Sequence, residues 1–94
     1  MNQNIEAMPA EAQKIVRETL VKFADSNSLL TGYKLSKAAS ELAGRYVREQ
    51  MIYNYCKKSM IATTTDAEGK QRISVDDAEA WLVSFLNKPT NIIV

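Results

Sequence analysis

This 94-residue sequence contains too few reactive side chains for most enzyme chemistry. The sequence contains no histidine and a single cysteine, Cys56, so the commonest general base and every Ser-His or Cys-His nucleophile pair are missing. The same two counts exclude an internal disulfide and a zinc site of the Cys/His type. We therefore expect no enzyme, no metal and no other cofactor, and we interpret Cys56 as a small buried hydrophobe.

The side chains suited to binding an anion are concentrated in the middle of the sequence. The formal net charge of the whole chain is only +1. Residues 34–58, however, hold six cations and two carboxylates (+4), whereas residues 1–33 hold three and four (−1) and residues 59–94 hold three and five (−2). A polyanion would bind at the central block. The alternative interpretation of these charges is a solvated basic surface.

Length and composition predict one compact fold that positions these groups. With 94 residues, 46% hydrophobic and 24% charged, the chain suits one domain spanning residues 1–94. No run approaches the roughly 18 apolar residues of a membrane span, and the N-terminal residues lack a signal-peptide pattern. We expect a cytoplasmic protein with no membrane association.

Hydrophobic periodicity predicts a helix at each end of the fold. Apolar residues recur at spacings of three and four over residues 9–24, and Pro9 suits the first helical turn. A last helix over residues 75–87 follows Ser74 and is expected to end at Lys88-Pro89. The tail, residues 90–94, is short and apolar, and we expect it to be packed on the body or frayed.

Between these helices, residues 36–58 predict two short helices joined by a tight turn. We expect Ser36 to be the N-cap of the first, about two turns long, and Gly44 to end it. The second is expected from Val47 to Lys58, and residues 29–33 are interpreted as a connector. This pattern indicates a helix-turn-helix, although an ordinary helical hairpin has the same local pattern.

A β-hairpin is predicted over residues 61–74, directly after the second of these helices. Residues 60–65 include three consecutive β-branched threonines, and residues 70–73 form a second extended segment. The turn between them ends at Gly69, where a positive φ is least costly. The fold class we expect is mainly α with a small β-hairpin.

The region from Lys34 to Leu82 resembles the winged helix-turn-helix of excisionases and the related MerR-like DNA-binding domains. The resemblance covers about half of the chain and lies in three strings, residues 38–44 (AASELAG), 47–61 (VREQMIYNYCKKSMI) and 72–82 (RISVDDAEAWL). It implies a winged helix-turn-helix, here with an extra N-terminal helix, whose second helix reads DNA and whose hairpin is the wing.

Two departures from the family pattern change the expected geometry. Arg45-Tyr46 resembles a two-residue insertion in a turn that is tighter in the family. Ser59 stands where the family commonly has glycine, so we expect the reading helix to run slightly longer or to end without a left-handed cap.

Family position and helical phase together select the candidate DNA-binding residues. On the reading helix, arginine and glutamine read base edges with two hydrogen bonds, whereas tyrosine and lysine hold phosphates. Glu49 either accepts from a cytosine amine or pairs with Arg45 or Arg48. The wing strand adds cations beside the minor groove. The full set is Arg45, Arg48, Glu49, Gln50, Tyr53, Asn54, Lys57, Lys58, Lys70 and Arg72.

These observations predict a sequence-specific double-stranded DNA-binding protein, either a transcriptional regulator or an excisionase-type directionality factor that works with an integrase. We expect a homodimer or a cooperative oligomer on DNA, with the helix over residues 9–24 as the self-association surface. The alternatives are a protein–protein interaction module and a DNA-recognition subunit of a packaging or partition complex, each using the N-terminal helix. Tyr33, Tyr46, Tyr53 and Tyr55 are expected on different faces, which argues against a stacking platform for single strands.

Overall fold

Our computed structural model describes residues 9–87, which contain four helices and three short strands. In chain order they are α1 (Ala10–Phe23), β1 (Leu29–Leu30), α2 (Gly32–Ala43), α3 (Glu49–Lys57), β2 (Thr64–Thr65), β3 (Gln71–Ser74) and α4 (Val75–Asn87). The fold is thus mainly helical with a small antiparallel sheet of order β1-β3-β2. None of these helices is long and apolar enough to cross a membrane. The expectations for Lys88-Pro89 and residues 90–94 lie outside the described residues.

The core joins all four helices to the sheet. Its centre consists of apolar side chains that are almost completely buried, and two of them, Val47 and Ile61, come from the links before and after α3 rather than from a helix or strand. The largest of these side chains are Leu20, Leu30, Leu35, Val47, Ile52, Ile61 and Leu82. Burying each of them stabilises the fold by about 1.5–3 kcal/mol relative to leaving it in water.

Helix α1 lies against α2 and α4, with Val16 and Leu20 buried in the core. Arg17 on its exposed side pairs with Asp76 at 2.8 Å and with Glu79 at 2.5 Å, both on α4. Lys22 pairs with Glu41 of α2 at 2.9 Å. Such exposed pairs contribute little to stability because water screens them, so burial of the apolar face is the main attachment of α1. The helix lies within one residue of its predicted bounds at each end.

Helix α2 begins five residues earlier than the sequence suggested. Its N-cap is Thr31, whose Oγ1 accepts the Lys34 N–H at 3.0 Å. Ser36, the predicted cap, is buried inside the helix, and its Oγ donates to the Tyr33 carbonyl at 2.7 Å. The prediction of a two-turn helix was therefore wrong, because α2 has 12 residues. Gly44 ends it in the left-handed conformation, φ +71°, as predicted.

The segment interpreted as a connector contains a strand. Leu29 and Leu30 of β1 pair antiparallel with Ser74 and Ile73 of β3. A strand of two residues is too short to show the alternation that identifies strands in a sequence. β1 ends at Leu30, and the next residue, Thr31, is the N-cap of α2.

The predicted β-hairpin forms, with β2 paired to β3 in antiparallel register. Oδ1 of Asp66 accepts the backbone N–H groups of Glu68 at 2.8 Å and Lys70 at 2.9 Å, and Gly69 has φ +81°. The hydrogen bond from the Lys70 N–H is the main cause that lowers the pKa of Asp66. The carboxylate of Asp66 therefore holds the turn while it is ionised.

Helix α3 ends in the left-handed cap that the sequence appeared to lack. Ser59 has φ +62°, its N–H donates to the Cys56 carbonyl at 3.0 Å, and the Met60 N–H donates to the Tyr55 carbonyl at 2.8 Å. This pair of bonds is a Schellman motif. The expectation that Ser59 lengthens the helix or removes the cap was therefore wrong, because serine adopts the conformation that glycine usually supplies.

Replacing Ser59 by glycine is expected to stabilise the protein. A left-handed conformation costs an L-residue about 1–2 kcal/mol, of which the backbone entropy of glycine offsets about 0.5–1 kcal/mol. Ser59→Gly should therefore raise the free energy of unfolding by about 0.5–1 kcal/mol, or the melting temperature by about 4 °C. Ser84→Gly is the matched control, because exposed Ser84 lies inside α4 and should lose about 0.5 kcal/mol there. Equal losses in the two thermal melts would contradict the left-handed cap.

Candidate nucleic-acid interface

The link between α2 and α3, residues 44–48, is fixed in place by Val47. The Val47 side chain is 1% exposed. Its N–H donates to Ser40 Oγ at 2.8 Å, and the same hydroxyl donates to the Val47 carbonyl at 3.4 Å. The predicted start of α3 at Val47 was therefore wrong: Val47 belongs to the link, and Arg48 is the N-cap of a helix that begins at Glu49. Arg45 and Tyr46 lie exposed in this five-residue link.

The two faces of α3 are divided as the helical phase predicted. Ile52 is fully buried, and Met51, Tyr55 and Cys56 pack against the core beside it. The exposed face holds Gln50, Tyr53, Asn54 and Lys57. Partial burial raises the pKa of the Cys56 thiol, which therefore stays protonated at neutral pH.

Two side-chain hydrogen bonds, each between residues one turn apart, organise the outer face of α3. The Tyr53 hydroxyl donates to Glu49 Oε2 at 2.6 Å, and Gln50 Nε2 donates to Asn54 Oδ1 at 3.2 Å. The bond to Glu49 is the main cause that raises the pKa of Tyr53. Glu49 therefore takes Tyr53 as its partner rather than Arg45 or Arg48, the two cations that the sequence suggested.

Tyr53 also fixes α3 against the start of α2. A Cβ atom added at Gly32, the first residue of α2, would overlap the Tyr53 ring. The ring thus lies directly on the Gly32 backbone, in a small cleft of about 50 Å³ that continues to β3. Tyr53 and Arg72, two of the predicted site residues, line this cleft together with Gln71, which the sequence analysis missed. The exposed face of α3 and the hairpin are therefore neighbours.

The basic side chains differ in whether the protein itself neutralises them. Of the 11 lysines and arginines within residues 9–87, Arg17, Lys22 and Arg72 pair with carboxylates. The other eight have no carboxylate partner within that range, and all except Lys14 belong to residues 34–70. They are Lys14, Lys34, Lys37, Arg45, Arg48, Lys57, Lys58 and Lys70.

Two of the predicted site arginines are held by other parts of the protein. The Nε of Arg72 lies 3.4 Å from Asp66 Oδ2, and its Nη1 donates to the Gln71 carbonyl at 3.0 Å. The Arg45 guanidinium lies 5.5 Å from the ring centre of Phe85 on α4. Arg72 is thus directed along the hairpin, and Arg45 neighbours α4.

An open groove of about 450 Å³ lies beside α2 and the start of α3. Tyr33 and Tyr46 both line it, and the Lys37 ammonium lies 5.6 Å from the Tyr33 ring centre. The expectation that the tyrosines occupy different faces was therefore wrong for this pair. The sequence analysis did not select Lys37, because it began α2 at Ser36 and so did not place Tyr33 one turn before Lys37 on the same helix.

No family model matches this chain, and no curated protein or solved structure is significantly similar to it. The family resemblance therefore depends on the three sequence strings alone, and the interface has to be argued from its own geometry.

Removing the Ser40 hydroxyl is expected to loosen the link before α3. Ser40→Ala leaves the buried Val47 N–H without its acceptor, which should lower the free energy of unfolding by about 1–3 kcal/mol. Ser36→Ala is the matched control on the same helix. The Ser36 hydroxyl donates a second hydrogen bond to the Tyr33 carbonyl, which already accepts a backbone hydrogen bond within the helix. Its removal should change the free energy of unfolding by no more than about 0.5 kcal/mol. Denaturant titration measures both, and similar losses would show that Ser40 does not anchor Val47.

The contact between Gly32 and Tyr53 predicts a strongly non-additive pair of substitutions. Gly32→Ala should displace the Tyr53 ring from its bond to Glu49 and cost about 1–3 kcal/mol. In a Tyr53→Ala background the same change should be neutral or slightly stabilising, because alanine is the better helix residue. A double-mutant cycle measures the difference. Additive free energies would show that the ring does not rest on Gly32.

Proposed function

We propose that this protein binds double-stranded DNA in a sequence-specific manner, as a transcriptional regulator or as an excisionase-type directionality factor. In this proposal α2 and α3 are the helix-turn-helix, the hairpin of β2 and β3 is the wing, and α1 is an additional helix. Helix α3 enters the major groove, whose width of about 12 Å admits an α-helix. The cytoplasm is the compartment in which such a protein would work.

The observation that carries this proposal is the segregation of cations without carboxylate partners. Seven of the eight such cations within residues 9–87 belong to residues 34–70, around α2, α3 and the hairpin. A cation that the protein leaves without a carboxylate is available to a phosphate, and each phosphate contact releases counterions from DNA. The cations of α1 that face other helices, Arg17 and Lys22, are instead paired within the fold.

The composition of the outer face of α3 favours DNA over a purely electrostatic partner. Exposed amide groups at Gln50 and Asn54 lie one turn apart on the helix, with Arg48 at its N-cap and Lys57 and Lys58 at its other end. Amides and arginine distinguish base edges, whereas lysines hold the flanking phosphates in any sequence. The arrangement therefore supplies both reading and positioning groups on one helix.

The hairpin supplies the contacts that flank α3. Lys70 is exposed and adjoins the turn, so it is the cation with direct access to a phosphate or to the minor groove. Arg72 would first have to exchange Asp66 for a phosphate oxygen. We therefore assign the wing contact to Lys70 and a lesser part to Arg72.

Useful specificity requires more than one copy of a fold this small. A single reading helix contacts few base pairs, so two copies on paired half-sites, or cooperative arrays on repeats, are part of the proposal. Ile15 and Val21 of α1 are each 55% exposed, and they are the apolar side chains that α1 would offer to a second copy.

Salt dependence and position dependence of binding test the proposal together. Duplex affinity should fall with salt at a log–log slope of about −4 to −6, since each phosphate contact contributes about −0.9. Lys57→Gln should make this slope less negative by about 0.9, whereas Lys14→Gln, which removes the same charge from α1, should leave it unchanged. Fluorescence anisotropy titrations at several salt concentrations measure both.

Two outcomes of these titrations would contradict the proposal. Binding to no duplex above background, or affinity independent of salt, would show that the cations without carboxylate partners do not bind DNA phosphates. Either result would favour the alternative function of a protein–protein interaction module. Equal slope changes for the two variants would show that net charge alone attracts DNA and that α3 is not in the groove.

A further inference from the structure

The hydrogen bond between Gln50 and Asn54 is a feature of the outer face that phosphate binding does not use. Gln50 Nε2 donates to Asn54 Oδ1 at 3.2 Å, and both side chains are exposed. Holding two polar side chains together on an exposed helix face stabilises the fold only slightly. Its larger effect is that it restricts the rotation of the amide of Asn54 before any ligand arrives.

This bond leaves a specific set of hydrogen-bonding groups on Asn54. The amide has two N–H hydrogens and a carbonyl oxygen with two lone pairs. Gln50 occupies one lone pair, so both N–H groups and the second lone pair stay available, and one of these N–H groups lies on the same edge of the amide as the oxygen. A donor beside an acceptor on one planar group matches the N7 acceptor and N6 amine donor of adenine in the major groove.

The neighbouring pair on the same face is different. The Tyr53 hydroxyl donates to Glu49 at 2.6 Å, and the ring of Tyr53 rests on Gly32. The tyrosine is thereby committed to a carboxylate and to the α2 backbone, and its hydroxyl hydrogen is not offered to a base. Of the two hydrogen-bonded pairs on α3, the amide pair is the one that presents an unused donor and acceptor together.

We propose that Asn54 reads one A·T base pair through the N7 and N6 atoms of adenine, and that Gln50 is a positioning residue that holds the Asn54 amide in the reading orientation. This inference rests on the proposed binding of duplex DNA through α3, and it assigns the base that the interface selects. It also changes the role of Gln50, which the sequence analysis treated as a reader in its own right.

The experiment begins with selection of bound duplexes from a random pool by the full chain. The expected result is a site with an adenine whose preference disappears for Asn54→Ala and weakens for Gln50→Ala. Asn27→Ala is the matched control, because it removes an exposed amide from the turn between α1 and β1, outside the proposed interface, and should leave this preference intact. Alanine suits an exposed helix position, and thermal melts of both helix variants verify that they fold.

Base analogues then test the two hydrogen bonds separately. Replacing the selected adenine by 7-deazaadenine removes the N7 acceptor, and replacing it by unsubstituted purine removes the N6 amine. Each should weaken binding of the parent protein by about 10-fold. Neither should change the affinity of Asn54→Ala by more than about 2-fold, because that variant lacks both bonds.

The possible failures are distinguishable. Specific, salt-dependent binding whose base preference is the same for Asn54→Ala and the parent would overturn the inference and leave the proposed function intact. Equal effects of Gln50→Ala and Asn27→Ala at this base pair would overturn the positioning role of Gln50. Binding to no duplex at low salt would overturn the inference together with the proposed function.

Discussion

The position of α3, on which the interface depends, is set by the burial of Val47 between α2 and α3. Its side chain lies in the core while its backbone N–H is satisfied by Ser40 Oγ at 2.8 Å. An unsatisfied buried N–H costs about 1–3 kcal/mol, so the link has one well-defined arrangement despite its five residues. Arg45 and Tyr46, which precede Val47, form an exposed loop, because the chain is fixed on either side of them by Gly44 and by Val47.

A second constraint determines the rotation of α3 about its own axis. Ile52 enters the core on one side, and on another side the Tyr53 ring lies on the Gly32 backbone. These two contacts need each other, since a rotation that moves Tyr53 away from Gly32 also withdraws Ile52 from the core. The absence of a Cβ at Gly32 is what allows the approach. The amides of Gln50 and Asn54 are therefore directed outward by packing, not by any preference of their own.

Local sequence patterns predicted those parts of the fold whose signals are local. The 3.6-residue period located α1, α3 and α4, and the threonine segment with Gly69 located the hairpin. The N-terminus of α2 was missed because serine is a better N-cap than threonine, whereas in the fold β1 pairs with a strand 43 residues later and ends at Leu30, immediately before the cap Thr31. Ser59 was misjudged because its intrinsic propensity disfavours the left-handed conformation. In the fold it adopts that conformation nevertheless, two residues before the buried Ile61.

The sequence predicted which residues form the candidate site, but not which of them bond to each other within the fold. Helical phase correctly selected the exposed positions of α3, because phase depends only on spacing. It had no means of separating Glu49 and Tyr53, which bond to each other, from Asn54, whose amide keeps an unused donor and acceptor. Nor did it show that Arg72 is paired with Asp66 while Lys70 is not. Whether a side chain can bind a ligand depends on its neighbours in space. On this surface, side chains of similar type therefore fall into two groups: those bonded within the fold, and those whose donors or acceptors stay available to a ligand.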